Sequence, residues 1–384
     1  MLGSLLTGSL WAFLSPTLAG IAGILALLPV VANMRGNLSG IFSSRLGTGL
    51  NLGLIKPKFS ERTNDLNKTI ISNIIASIIT PIWVSLVIWF LSNLTSETET
   101  PFGNFLIIAL IASIFSFTLT IPITLFVSFN IFKRGIDPDT LGYPLLSNVA
   151  DIITVLGIIV GFTINSIFKE SLLEIFNVFL EIIAIFVLFT FLIYTFGRSK
   201  TRDQFEVFNL LYEIIPVLFI VAIIASFTGI IFNENLSYTG VIIIVPVFMA
   251  YTGATASIIG SRYTTAYFLG SLQTTSGKKA VYVFDPIIIT FIGITLSTVL
   301  GITAYSIANF AHLDLPKPDL FSYLIICWIT GFITTTYSII SSLFVGNYVF
   351  RKGIDADNVI VPFSSTTGDL VAILAIMISL FLIG

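Results

Sequence analysis

Gly135-Ile-Asp-Pro-Asp-Thr-Leu-Gly-Tyr-Pro-Leu-Leu-Ser-Asn-Val-Ala-Asp151 returns 218 residues later as Gly353-Ile-Asp-Ala-Asp-Asn-Val-Ile-Val-Pro-Phe-Ser-Ser-Thr-Thr-Gly-Asp369. Seven of the 17 aligned positions are identical. Each copy follows a basic triplet, Phe132-Lys133-Arg134 or Phe350-Arg351-Lys352, and each leads into a long apolar run. Each therefore carries one carboxylate, Asp151 or Asp369, into a segment that reads as a membrane helix. An acid inside a bilayer is costly and points to function. Two at equivalent repeat positions point to one shared task.

The composition agrees with a membrane chain. Of 384 residues, 55% are hydrophobic and 10% charged, with mean hydropathy +1.01. A soluble protein carries about a quarter charged residues. The net charge of −2 provides no basic field for nucleic acid. The lone Cys327 excludes an internal disulfide or a cysteine cluster, and the lone His312 excludes a multi-histidine zinc site within one chain. No Lys or Arg precedes Arg35, so the first residues read as mature membrane sequence rather than a signal peptide.

A span needs about 20 apolar residues. The apolar runs fall at about 2–14 (closed by Ser15-Pro16), 17–45, 69–92, 105–131, 142–168, 173–197, 209–232, 239–262, 281–310, 320–349 and 358–383. This predicts an all-α membrane protein of about eleven transmembrane helices. Residues 1–168 form a first half, 169–205 a linking helix and loop, and 206–384 a second half. The pattern Pro29…Gly36…Ser44-Arg45…Gly53 matches Pro246…Gly253…Ser261-Arg262…Gly270, which extends the repeat through the halves. The first run is several residues short, as suits a tilted, interfacial or incomplete span. Five spans per half would invert the second half. The unpaired helix restores its orientation, so the two five-helix repeats are expected to run parallel. One set of loops holds 13 Lys and Arg residues, and the opposite set only Lys169 and Lys317. By the positive-inside rule the first set and the N-terminus are cytoplasmic.

The stretch Pro29-Val-Val-Ala-Asn-Met-Arg-Gly-Asn-Leu-Ser-Gly-Ile-Phe-Ser-Ser-Arg-Leu-Gly-Thr48 resembles the second-helix signature of the MgtE divalent-cation transporters. It is closest to their duplicated relatives, the eukaryotic Mg²⁺ solute carriers. The Asp-Pro-Asp…Pro…Ser…Asp stretch resembles the last helix of those halves. The resemblance implies a cation pore between two five-helix halves, with the last-helix acids, here Asp151 and Asp369, facing Mg²⁺. It also implies that one chain supplies both halves, so a monomer suffices, set in the lipid bilayer of the plasma membrane. The cytosolic sensing domains of bacterial members have no counterpart here. The second copy of the signature departs from the first: Arg35 becomes Thr252 and Asn37 becomes Ala254.

The residues read consistently with that implication. Ser147 and Asn148 precede Asp151 by four and three positions, and Ser365 and Thr366 precede Asp369 likewise. Such residues share a helix face. Each helix thus offers a carboxylate with hydroxyl or amide oxygens one turn away. Pro144 and Pro362 read as helix starts, which puts Asp151 about nine residues in, roughly 14 Å deep at 1.5 Å per residue. All-oxygen ligands suit a hard cation, and Mg²⁺ keeps several of its waters. The opposing reading is that each Asp only bonds a neighbouring helix. Asn33, Gly36, Asn37, Gly40 and Ser44 form a small polar stripe; the glycines suit close packing, and Asn33 and Asn37 suit pore lining. Asp137, Asp139, Asp355 and Asp357 read either as a cation-concentrating mouth or as helix N-terminal charges. Arg45 and Arg262 read as snorkelling anchors, Glu213 and Asp285 as interfacial, and His312 as solvated. Glu181 reads as a packing residue or a coupling site for protons or sodium.

The reading that follows is transport of divalent cations, Mg²⁺ foremost, and no enzyme activity. The alternatives are a Na⁺- or H⁺-coupled exchanger and, remotely, an intramembrane aspartyl protease. Thr367-Gly368-Asp369 matches the protease signature only faintly, and Val149-Ala150-Asp151 lacks its Tyr-Asp.

Overall fold

The computed structural model describes residues 2–18, 23–59, 61, 63–95, 100–135, 138–167, 206–235, 238–268, 270–315, 319–352 and 356–383. The expected linking helix at 173–197, with Glu181, lies outside them, as do Asp137 and Asp355. The ten long helices described are α1 (Leu2–Leu18), α2 (Leu27–Asn51), α3 (Asn64–Thr95), α4 (Phe102–Lys133), α5 (Pro138–Ile167), α6 (Glu206–Asn235), α7 (Val245–Phe268), α8 (Asp285–Phe310), α9 (Leu320–Lys352) and α10 (Ala356–Ile383). No strand occurs among the described residues. Nine of these helical segments are long and apolar enough to cross a membrane, and α1, at 17 residues, is the short one. The chain is an integral membrane protein.

The helices overrun the apolar runs by a few residues, because local signals set their ends. Thr63 Oγ1 accepts from the Leu66 N–H at 3.3 Å before α3, and Asp319 Oδ1 accepts from the Ser322 N–H at 2.9 Å before α9. Gly135, the first residue of the repeated stretch, ends α4 with φ 73°, a conformation open to glycine. Two expectations are corrected. Pro16 does not close α1, which runs on to Leu18. Pro144 and Pro362 are not at helix starts, since α5 begins at Pro138 and α10 at Ala356. Asp151 and Asp369 consequently fall near the middle of helices of 30 and 28 residues.

The chain divides into two compact units, residues 17–233 and residues 1–16 with 234–384. Relative to the sequence repeat, the first helices are exchanged: α1 belongs with the second-half helices and α6 with the first-half helices. In the unit of residues 17–233, Trp83 on α3 stacks on Phe219 of α6 at 4.8 Å between ring centroids, and its indole N–H donates to Phe219 O at 3.2 Å. Gly229 of α6 lies against the Ala26 carbonyl. In the other unit, Gly8 of α1 lies against the Ile243 carbonyl.

Within the first of these units α2 packs on α3, α4 and α5. The hydrophobic stretch of Ile24–Asn51 is 94% buried, against 28% for Thr275–Phe310. The least apolar span is thus the innermost, because its polar residues need protein partners in lipid. By contrast α8 leaves Ile287, Ile288, Phe291 and Ile294 exposed, as a lipid-facing helix does. One end of the unit is closed by Phe42, Leu46, Leu50, Ile55, Leu66, Leu125 and Phe129. In the loop beyond it, Glu61 pairs with Lys56 at 2.6 Å and Lys58 at 2.9 Å. Hydrogen bonds from the two lysines, and their charge, hold the Glu61 carboxyl down to about 2.

A close helix approach brings α5 onto α4. A Cβ at Gly157 would lie 2.9 Å from the Ala112 carbonyl oxygen, and one at Gly161 2.9 Å from that of Ile108. These glycines, one turn apart, set the position of the Asp151 helix. Gly161→Val should overpack this seam and lower stability by about 1–3 kcal/mol, measured as unfolding of the purified protein in detergent. Ala at an exposed lipid-facing position such as Ile288 is the neutral control.

Candidate functional site

In the unit of residues 17–233 the polar core is built around Arg35. The residue is 2% exposed, in the middle of α2. Its guanidinium donates from Nη1 to Ser77 Oγ at 2.7 Å, from Nη2 to Thr120 Oγ1 at 3.0 Å and from Nε to Ser116 Oγ at 3.2 Å. Each hydroxyl is held for the task. Ser77 lies 3.5 Å from Asn73 Oδ1, and the Asn73 amide donates to Leu38 O at 3.1 Å, returning to α2. Ser116 lies 3.0 Å from Thr154 Oγ1, and Thr154 donates to Ala150 O at 2.6 Å. The proton of Thr154 being spent on Ala150, Ser116 is the donor between the two. The Ser77 and Ser116 oxygens thus keep their lone pairs for the cation.

Thr154 stands one turn beyond Asp151 on α5, on the same face. Asp151 is half-buried, as is Asn148 one turn before it. Ser147 is helical, and its side chain lies outside the described residues. Asn37 donates its amide to Asn33 Oδ1 at 2.9 Å, both buried. The expected pair of amides on α2 therefore exists, as a mutual bond along the helix.

In the unit of residues 1–16 and 234–384, Asp369 is 3% exposed. Thr252 donates to Met249 O at 2.7 Å and lies 3.5 Å from Asp369 Oδ1. Ser365 and Thr366 are buried one turn before the acid. Gly368 presses on Thr252: a Cβ there would sit 2.9 Å from the Thr252 Cβ. Arg262 donates from Nε to Asp285 Oδ2 at 2.7 Å, so these two form an ion pair while Arg262 stays exposed. His312 is exposed, as expected. The side chains of Asp139, Asp357 and Glu213 lie outside the described residues. Among the described residues no three His, Cys, Asp or Glu side chains gather. Among the described residues, Asp151 and Asp369 are the carboxylates at mid-helix, one in each unit, and the second has the Thr252 hydroxyl 3.5 Å away.

A family model for divalent cation transporters, MgtE, matches the chain twice, over residues 28–162 and 245–379. The chain belongs to the MgtE family. Searches of curated proteins and of solved structures return no significant match. The two MgtE matches span α2 to α5 and α7 to α10 and omit α1 and α6, the helices exchanged between the units. The four-helix core containing each acid is thus what the family model covers.

Three features of these MgtE cores escape a reading for acids and amides. The first is the Arg35 cage. Its signal was a lone charge inside an apolar run. The second is a hydroxyl seam at four-residue spacing, Ser116, Thr120, Thr124 and Ser128 on α4, all buried. It recurs as Thr334, Ser338 and Ser342 on α9, where Ser338 reaches Thr252 O at 3.4 Å and Ser342 reaches Ala256 O at 3.3 Å. The third is Gly157 with Gly161. The last two were visible as periodicities.

Ser116 and Thr334 hold the same repeat position with different work. Ser116→Ala removes a bond to a charged group and should cost about 1.5–3 kcal/mol. Thr334 bonds carbonyls of its own helix at 2.7 and 3.2 Å, so Thr334→Val should cost less than about 1 kcal/mol. Denaturant unfolding of both variants in detergent measures the difference.

Proposed function

We propose that this MgtE-family protein carries Mg²⁺ across the membrane, with Asp151 and Asp369 as the acids that the ion meets. One observation carries the reading: each repeat core of a divalent cation transporter places a single carboxylate mid-helix at the same repeat position. Ser365 and Thr366 one turn from Asp369, and Ser147 and Asn148 at the same positions before Asp151, supply neutral oxygens. Asn33 and Asn37 add amides on the innermost helix. An acid with hydroxyl and amide oxygens suits an ion that retains part of its water shell. It does not suit a tight cage. Mg²⁺ is here the substrate.

Both acids lie in one chain, so a monomer carries the whole path. The basic loops, 13 cations against two, favour a cytoplasmic N-terminus, and the plasma membrane is the proposed location. Coupling to Na⁺ or H⁺ is the second mode of the same transport, and imposed gradients distinguish it.

Reconstituted protein should take up Mg²⁺, and Asp151→Asn and Asp369→Asn should each lower the initial rate by at least roughly tenfold, since a lost charge at a cation site is worth more than 1.4 kcal/mol. The readout is a Mg²⁺-sensitive dye inside liposomes. Flux unchanged in both variants sinks the assignment of the two acids. Dependence of the rate on an imposed Na⁺ or H⁺ gradient identifies an exchanger.

A further inference from the structure

The two repeat cores differ in charge. Position 35 of the first carries a guanidinium, and the matching position 252 of the second carries a hydroxyl. The guanidinium is fully enclosed and its three hydrogen bonds all go to neutral hydroxyls. Among the described residues no carboxylate lies within ion-pair distance of it. A charge at membrane depth is expensive, and a structural brace does not need one: Ser338 and Ser342 tie α9 to α7 with hydroxyls alone. The cage also has a direction. From Arg35 it runs through Ser116 to Thr154, and Thr154 stands one turn from Asp151 on the same helix face. Along that path the second core is neutral: Thr252 replaces Arg35 and Ala372 replaces Thr154.

We propose that Arg35 is a fixed cation that sets how firmly the first core holds the transported divalent ion. The inference rests on the transport reading above. In the first core a guanidinium thus stands on the path to the carboxylate that an arriving ion meets. In the second core the matching position holds Thr252, whose hydroxyl lies 3.5 Å from Asp369 Oδ1. The guanidinium repels a divalent ion at Asp151, so that the ion is held more weakly there than by a carboxylate without a fixed cation one hydrogen-bonded chain away. Weak binding on one side of a path favours release, as conduction requires. Arg35 is thus an affinity-setting residue that acts on the ion through space and touches no ligand of it.

Charge and bracing are separable. In purified full-length protein, Arg35→Gln keeps hydrogen-bonding groups and loses the charge, whereas Arg35→Lys keeps the charge and loses the fork. Two readouts serve: the half-saturating Mg²⁺ concentration of flux in liposomes, and Mg²⁺ binding in detergent by calorimetry. Arg35→Gln should tighten both by at least roughly tenfold, because it removes a fixed positive charge that repels a divalent ion in a low-dielectric interior. Arg35→Lys should lie closer to the wild type than Arg35→Gln does. The double variant Arg35→Gln with Asp151→Asn should recover part of the flux lost in Asp151→Asn alone, because the unneutralised guanidinium is what then repels the ion. This comparison holds even where Arg35→Gln alone is poorly folded, since the flux of both members is scored per folded protein. A wild type that binds and transports Mg²⁺, with Arg35→Gln and Arg35→Lys shifted alike or not at all and no recovery in the double variant, overturns the proposal and leaves Arg35 a brace of α2, α3 and α4. A wild type that neither binds nor transports a divalent ion overturns the transport reading and this inference with it.

Discussion

Inside a bilayer a polar group has no water to turn to, and this constraint organises the molecule. Its strongest expression is the guanidinium of Arg35, which needs a ring of oxygens at mid-membrane. Ser77 on α3 and Ser116 and Thr120 on α4 supply them. Their own bonds then fix Asn73 and Thr154, and through these the packing of α3 and α5 on α2. The innermost helix is therefore the polar one, and the greasier helices face outward. Hydrophobic burial would give the opposite order in water. In lipid it gives no preference, and hydrogen bonding with close packing decides.

Much of the architecture was legible because membrane helices announce themselves by length and apolarity. Every expected run from 69 onward that falls among the described residues became a helix, and the repeat placed both acids mid-helix. What escaped was whatever depends on one helix meeting another. Pro144 and Pro362 looked like helix starts, yet the turn before each is already helical. Asn33 and Asn37 read as one polar stripe on α2, and the bond between their side chains came only with the structure. Arg262 and Asp285 looked like separate interfacial charges and form one pair. The exchange of α1 and α6 between the compact units carries no signature in any single segment, since apolar surface fits apolar surface wherever the chain leads it.

The duplication has been used unevenly. The parts kept alike are the mid-helix acid and the hydroxyl seam. The parts allowed to differ sit on α2 and α7, where Arg35, Asn33 and Asn37 face Thr252, Ala250 and Ala254 in the alignment. Two copies of one separate subunit must carry the same residues. Two halves in one chain are released from that rule, and a charge can be introduced in one of them alone.

The exchanged first helices also bear on the order of assembly. α1 leaves the ribosome first, but the residues it is grouped with begin at Glu234. During synthesis it must wait in the bilayer while more than half of the chain is made. The helices of residues 17–233 likewise stay incomplete until α6 arrives. The unit of residues 17–233 is one contiguous piece of chain, whereas the other joins residues 1–16 to residues 234–384. The first piece of that unit is inserted long before the second, so its packing is deferred, and the two units cannot be separated by cutting the polypeptide once.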